Sequence, residues 1–138
     1  MEREARCMCG ELRIKTSGEP ILTLACNCHN CQRRTGSVFG VGAYFDNSMI
    51  LEKKGTARKF DIDTESGNAA TSNFCEKCGS TLYIEAEMFR GMTGIPVGCF
   101  TDPNFPEPTL AAWCRSKYQW VDFPEHWHSM DTQGSDNA

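Results

Sequence analysis

Seven of the nine cysteines in this 138-residue chain fall in three tight clusters: Cys7-Met8-Cys9, Cys26-Asn27-Cys28-His29-Asn30-Cys31 and Cys75-Glu76-Lys77-Cys78. Thiols two or three positions apart can reach one ion from a single turn. Zinc favours tetrahedral thiolate sites that draw two ligands from each of two loops. The C-x-C and C-x2-C pairs together supply four such ligands. Each pair ends in Cys-Gly followed by a strand-like pattern, Cys9-Gly10-Glu11-Leu12 and Cys78-Gly79-Ser80-Thr81-Leu82. Glycine there can take a positive φ and lets backbone N–H groups turn toward a thiolate. The spacing therefore predicts one closed structural zinc on Cys7, Cys9, Cys75 and Cys78. It would tie the start of the chain to its middle, 66 positions from Cys9 to Cys75, and so stabilise a small domain. The alternative is four unrelated cysteines.

The middle cluster packs three thiols into six residues, and Gln32 rather than glycine follows Cys31. No second cysteine pair is left to join it. His29 adjoins Cys28 and would have to fold back sharply to become a fourth ligand. A zinc on Cys26, Cys28 and Cys31 would keep one open position, as catalytic zinc sites do. Zn²⁺ with three thiolates carries a formal charge of −1. That suits holding an incoming thiol as thiolate better than activating an anionic electrophile. A second structural site and a metal-free redox cluster are the alternatives.

Around these clusters, Arg33-Arg34 could bind the carboxylates of an anionic substrate by charge-assisted hydrogen bonds, or could simply be solvated surface charges. Cys99 and Cys114 stand singly in apolar runs and read as buried small hydrophobes. Trp113, Trp120 and Trp127 recur every seven residues. Their extended surroundings favour core packing or docking of the C-terminal segment. His126 and His128 read as a solvent-exposed pair.

The elements that must position these groups are short. Alternating or apolar runs predict strands over residues 11–15, 21–25, 38–45, 49–51, 58–62, 68–74, 80–85, 94–100 and 109–114, with a turn at Lys53-Lys54-Gly55. A helical turn fits residues 30–35. The pattern is that of a mainly antiparallel β protein with a single domain over residues 1–128 and a disordered polar tail over 129–138. A net charge of −4 argues against a general nucleic-acid binder and gives no attraction to an anionic membrane. No apolar run is long enough for a transmembrane helix. The charged first six residues lack the apolar core of a secretory signal, so a reducing cytoplasm is expected.

At these residues the sequence resembles the glutathione-dependent formaldehyde-activating (GFA) family, which includes centromere protein V. The carrying motifs are Cys7-Met8-Cys9-Gly10, Cys26-Asn27-Cys28-His29-Asn30-Cys31-Gln32-Arg33-Arg34-Thr35-Gly36-Ser37, Phe74-Cys75-Glu76-Lys77-Cys78-Gly79-Ser80 and Ser116-Lys117-Tyr118-Gln119-Trp120. The resemblance implies a β-tent of antiparallel sheets stapled by zinc, with two zincs per chain grouped as above and glutathione entering near the second. It implies a carbon–sulfur lyase activity, formation of S-(hydroxymethyl)glutathione from formaldehyde and glutathione. Where family members carry Gly-Thr-Leu-Asp-Asp, this chain has Gly98-Cys99-Phe100-Thr101-Asp102, which bears on substrate choice if that segment lines a pocket. The competing functions are a non-catalytic zinc-stapled binding module or glutathione/aldehyde carrier, and a thiol redox or metal sensor.

Overall fold

The computed structural model describes residues 1–133. Within them the chain forms eleven strands: β1 (Glu2–Arg6), β2 (Arg13–Ser17), β3 (Leu22–Cys26), β4 (Gly40–Asp46), β5 (Ile50–Lys54), β6 (Ala57–Ile62), β7 (Ala70–Cys75), β8 (Thr81–Ala86), β9 (Met92–Pro96), β10 (Leu110–Ala112) and β11 (His128–Ser129). One α-helix, α1 (His29–Thr35), and several 3-10 turns complete the set. The protein is mainly β, as its short alternating runs predict. No helix of the described chain is long and apolar enough to cross a membrane.

The chain divides into two compact units. The first comprises Met1–Ile21 and Ala43–Phe105; the second comprises Leu22–Gly42 and the chain from Pro106 on. In the first unit β1, β2 and β5 form an antiparallel sheet, with Arg6 opposite Arg13 at the β1–β2 turn. Strands β6, β7, β8 and β9 follow one another as antiparallel neighbours. The core of this unit gathers Leu12, Ile14, Phe45, Leu82 and Ile95, all essentially inaccessible, with Phe100 beside them. Burying each of these large side chains contributes about 1.5–3 kcal/mol.

The second unit departs from the expected antiparallel sheets. Strand β10 lies parallel to both β3 and β11, with Ala111 opposite Ala25 and Ser129. Parallel neighbours need a long connection, and the chain between β3 and β10 and between β10 and β11 supplies it. Strand β11 also corrects the tail expectation, because Ser129 is in a strand. Trp113 N–H donates to the Thr132 carbonyl, Cys114 N–H to Met130, and Arg115 pairs with Asp131 at 2.6 Å. Polar composition misled here because backbone pairing, not burial of side chains, holds residues 129–133. The remainder of the expected tail lies outside the described residues.

Two further boundaries moved. Strand β1 carries four charged side chains, and its inner face holds Ala5 and the largely covered Arg3, so periodicity did not reveal it. Residues 94–100 read as one strand, yet β9 ends at Pro96 and a 3-10 turn covers Val97–Phe100. The proline fixes its own φ and removes a ladder donor.

The loop between β1 and β2 is braced by the turn after β5. Gly55 has φ of 88°, and a Cβ there would run into the Glu11 carbonyl oxygen. Gly91 has φ of 84° but open space around its Cβ position. Gly91→Ala should therefore cost only the left-handed backbone penalty, about 1–3 kcal/mol. Gly55→Ala should cost clearly more in urea unfolding, because backbone must also move. Equal losses in the two variants would contradict the close approach.

Candidate metal centres

Both outer cysteine pairs sit at the tips of β-hairpins in the first unit. The loop from Cys7 to Leu12 joins β1 to β2, and Cys7 N–H donates to the Leu12 carbonyl at 3.0 Å. The loop from Cys75 to Ser80 joins β7 to β8, and Cys75 N–H donates to the Ser80 carbonyl at 2.9 Å. Each loop tightens onto its glycine: Gly10 N–H donates to Cys7 and Gly79 N–H to Cys75. Gly10 and Gly79 have φ of 84° and 81°, as their place after the second cysteine predicts. The echo in the sequence is thus a repeated hairpin tip.

The tips bring Cys7, Cys9, Cys75 and Cys78 together with all four sulfurs within 4.8 Å of one another. Cys7 Sγ and Cys75 Sγ each lie 3.7 Å from Cys9 Sγ. A disulfide would require about 2.05 Å. Four sulfurs at about 2.3 Å from a central zinc stand about 3.8 Å apart in a tetrahedron, so the donor set fits that ion. Backbone donors already face the sulfurs: Leu12 N–H reaches Cys7 Sγ at 3.2 Å and Lys77 N–H reaches Cys75 Sγ at 3.4 Å. Cys7 and Cys75 are buried, Cys9 exposed and Cys78 half-buried.

The sulfurs divide their protons unevenly. The Ser80 hydroxyl, then the Ser80 and Cys9 backbone N–H groups, hold Cys78 down to about 5. Burial pushes Cys7 up, but the Leu12 N–H and the Cys9 and Cys75 thiols outweigh it and hold Cys7 below its usual value. For Cys9 the Glu11 N–H favours the thiolate, yet lost hydration and the sulfurs of Cys7, Cys75 and Cys78 push it up to about 11. Ser80 was not singled out by spacing. Its hydroxyl lies 3.3 Å from Cys78 Sγ and accepts from Met8 N–H, linking the two tips.

The second unit holds the other three thiols. Cys26 ends β3, Cys28 caps α1, and Cys31 lies in its first turn. Cys28 Sγ accepts from Cys31 N–H at 3.3 Å, so the thiol replaces an ordinary oxygen cap. The three sulfurs lie within 4.8 Å of one another, and among the described residues no fourth His, Cys, Asp or Glu joins them. His29 is exposed at the start of the helix. Three donors and one vacant direction fit an open metal position.

Two amides that spacing did not flag hold this loop. Asn27 is wholly buried, and both its N–H and its Nδ2 donate to the Ala112 carbonyl. Gln32 Nε2 donates to the carbonyls of Asn27 and Ser116. Trp113, between those partners, has φ of 56°, a conformation that costs a non-glycine residue about 1–3 kcal/mol. Sequence offered only one signal for this clamp, uncharged amides inside and just after the thiol motif.

Of the two arginines, Arg33 is exposed, whereas Arg34 lies against the cluster. The Cys26 and Cys28 thiols, with Arg34 beside them, hold Cys31 down to about 3. The same thiol contacts push Cys26 far up. Cys28 is favoured as thiolate by Cys26, but Cys31 and burial leave it above its usual value.

The remaining candidates fall elsewhere. Cys99 Sγ donates to the Thr81 carbonyl and Cys114 Sγ to Ala111; both are half-buried rather than fully buried. Trp113 docks the C-terminal segment through Gln133, and Trp127 stacks on Phe123. Trp120 is 72% exposed, contrary to the expected core packing, because its edge-to-face partner Tyr118 is itself exposed. His126 and His128 are exposed, and His126 meets Glu107 at 2.9 Å.

Fold and site together define a mainly β protein with one four-thiol and one three-thiol metal-type centre. The family model described as "Glutathione-dependent formaldehyde-activating enzyme" matches residues 2–116, and the chain belongs to that family. A solved crystal structure of a Rhodobacter sphaeroides protein is similar in fold, with a TM-score of 0.57 and 20% identity over 73% of this chain and 90% of that one. No curated protein matches.

Two outcomes are expected. Cys75→Ser should remove one metal per chain and lower Tm by at least about 10 °C, read by metal analysis and thermal melting; an unchanged melt would mean that the four-thiol centre does not staple the fold. At the three-thiol centre, Cys31 is favoured as the thiolate, while Cys26 and Cys28 are pushed toward the protonated form. Metal entry must displace both protons, so conditional affinity should rise by about two log units per pH unit between pH 6 and 8 and fall likewise on acidification. Chelator competition measures that slope, and a pH-independent affinity would refute it.

Proposed function

We propose that the protein is a zinc-dependent enzyme of the carbon–sulfur lyase type. It would join the thiol of glutathione, or of a related anionic thiol, to formaldehyde or another small aldehyde. The observation that supports this is the three-donor centre on Cys26, Cys28 and Cys31, with no fourth side-chain donor within the same 4.8 Å among the described residues, in a chain of the glutathione-dependent formaldehyde-activating family. The four-thiol centre on Cys7, Cys9, Cys75 and Cys78 is assigned a structural zinc.

A zinc held at the open centre supplies a Lewis acid that lowers the pKa of a thiol placed beside it. The side chains do the rest. Cys26, Cys28 and Cys31 leave one direction open for the incoming sulfur. The Asn27–Gln32 clamp keeps the loop from shifting as that sulfur enters. Exposed Arg33 would pair with a carboxylate of the thiol substrate. The carbon–sulfur bond forms at the carbonyl carbon, the C=O electron pair moves to oxygen, and the thiol's proton ends on the new hydroxyl. A reducing, cytoplasmic setting belongs to this reading, because it would keep the cysteines free to hold metal.

The low value of Cys31 also favours a second reading, a thiol redox sensor in which that thiolate reacts directly. One experiment separates them. In the enzyme reading the parent protein forms S-(hydroxymethyl)glutathione above the spontaneous rate. Cys28→Ser should then lose one metal, stay folded, and lose more than about 100-fold of the enzyme-dependent rate, since even residues behind metal ligands are worth about 10–100-fold. A Cys28→Ser protein that keeps the rate sinks the enzyme reading. A parent without rate enhancement whose Cys31 alkylates freely supports the sensor.

A further inference from the structure

Arg34 is a neighbour of the three-thiol centre by construction as well as by sequence. Its guanidinium stands beside Cys31, each within 3.5 Å of one point over Gly40, and its positive charge helps hold the Cys31 thiol down. What makes room for it is Gly40, the first residue of β4 and a buried one. A Cβ built on Gly40 would stand 3.0 Å from Arg34 Nη2, 3.5 Å from Cys31 Cβ and 3.5 Å from Thr35 Cγ2. Gly40 is not among the glycines with positive φ, so its backbone would accept any residue. The glycine is needed for space, because Arg34 Nη2 and Cys31 Cβ both crowd the place a side chain would take.

We infer that Arg34, seated on Gly40, is the charge-compensating positioning residue of the Cys26–Cys28–Cys31 centre, and that it serves the Cys31 sulfur rather than a substrate carboxylate. This rests on the proposed reading of that centre as a metal site. Three thiolates and a divalent ion leave one net negative charge, and Arg34 cancels it. A neutral centre takes up a further thiolate against less repulsion than an anionic one. An N–H donor to a ligand sulfur also draws electron density from it, as residues behind metal ligands commonly do. The two adjacent arginines therefore divide their roles: Arg33 faces solvent, and Arg34 is committed to the ligand.

The test is cobalt(II) loading of the full chain, read by chelator competition and by the sulfur-to-cobalt charge-transfer band. The parent should bind two cobalt ions. Arg34→Gln should keep the four-thiol centre's spectrum and melting temperature. It should weaken the second centre about 10–100-fold and move its charge-transfer band to longer wavelength, because the sulfur lone pair loses its donor. Arg34→Lys should restore most of the affinity, and Gly40→Ala, which changes no charge, should shift the band in the same direction by less. Arg33→Gln should leave both metal readouts unchanged. An Arg34→Gln protein with unaltered second-site affinity and band position, but a raised KM for glutathione, would overturn the inference and return Arg34 to the substrate. A parent protein that binds only one cobalt would instead overturn the reading of the centre itself.

Discussion

Crowded sulfur is the constraint on which the first unit depends. Two hairpin tips meet so that Cys9 stands 3.7 Å from both Cys7 and Cys75. At that distance a pair of thiolates repels by about 4 kcal/mol even at an effective dielectric of about 20. The four groups cannot all ionise by themselves. Nor does the site favour four neutral thiols, because the Leu12 N–H at Cys7 and the Ser80 and Cys9 N–H groups at Cys78 prefer charged acceptors. The opposed shifts of Cys78, held down, and Cys9, pushed up, express this frustration. A dication at the centre would relieve it, and because the tips belong to β1–β2 and β7–β8, relieving it would join two hairpins that are far apart in the chain.

Surface charge pairs do little of this work. Lys77 and Glu11 meet across the two tips at 3.4 Å, and Arg13 meets Glu4 at 3.0 Å, but all four are well exposed. Such pairs are worth about 0–1 kcal/mol. The packing that supports the tips lies beneath them: Leu12 and Leu82, which follow the two Cys-Gly turns, are both essentially inaccessible. Each knuckle therefore ends in a residue that anchors it to the same core.

What could be read from the sequence follows from which interactions are local. The four-thiol grouping was legible because a knuckle is made within a few residues, and Gly10 and Gly79 announce it. Helix α1 and most of the strands of the first unit were legible for the same reason. What escaped depends on distant partners. β1 is a strand because β2 lies beside it, not because of its own pattern. β11 and the order of residues 129–133 come from pairing with β10 and its flank. The parallel pairing of β10 with β3 is likewise a property of the chain's path. Asn27 and Gln32 act on carbonyls some 85 positions away, and no spacing rule points to them. Ser80 is the intermediate case, local to one tip yet bonded to the other.

The two centres differ for a reason that lies in their scaffolds rather than in their ligands. A pair of hairpin tips supplies two thiols each and closes around an ion from opposite sides. The second centre is built from one continuous stretch, the end of β3 and the first turn of α1, so all three of its sulfurs approach from one direction. Among the described residues no facing loop adds a fourth His, Cys, Asp or Glu, so this centre stays one donor short. The clamp through Asn27 and Gln32 holds that one-sided approach in place without contributing a ligand. By the inference above, Arg34 would balance the charge in the same way: as a guanidinium it cannot ligate a metal. Each of these residues supports the centre without occupying its vacant position. On this reading the local fold would keep one position open, and with Arg34 counted as inferred above the charge account would change from anionic to neutral.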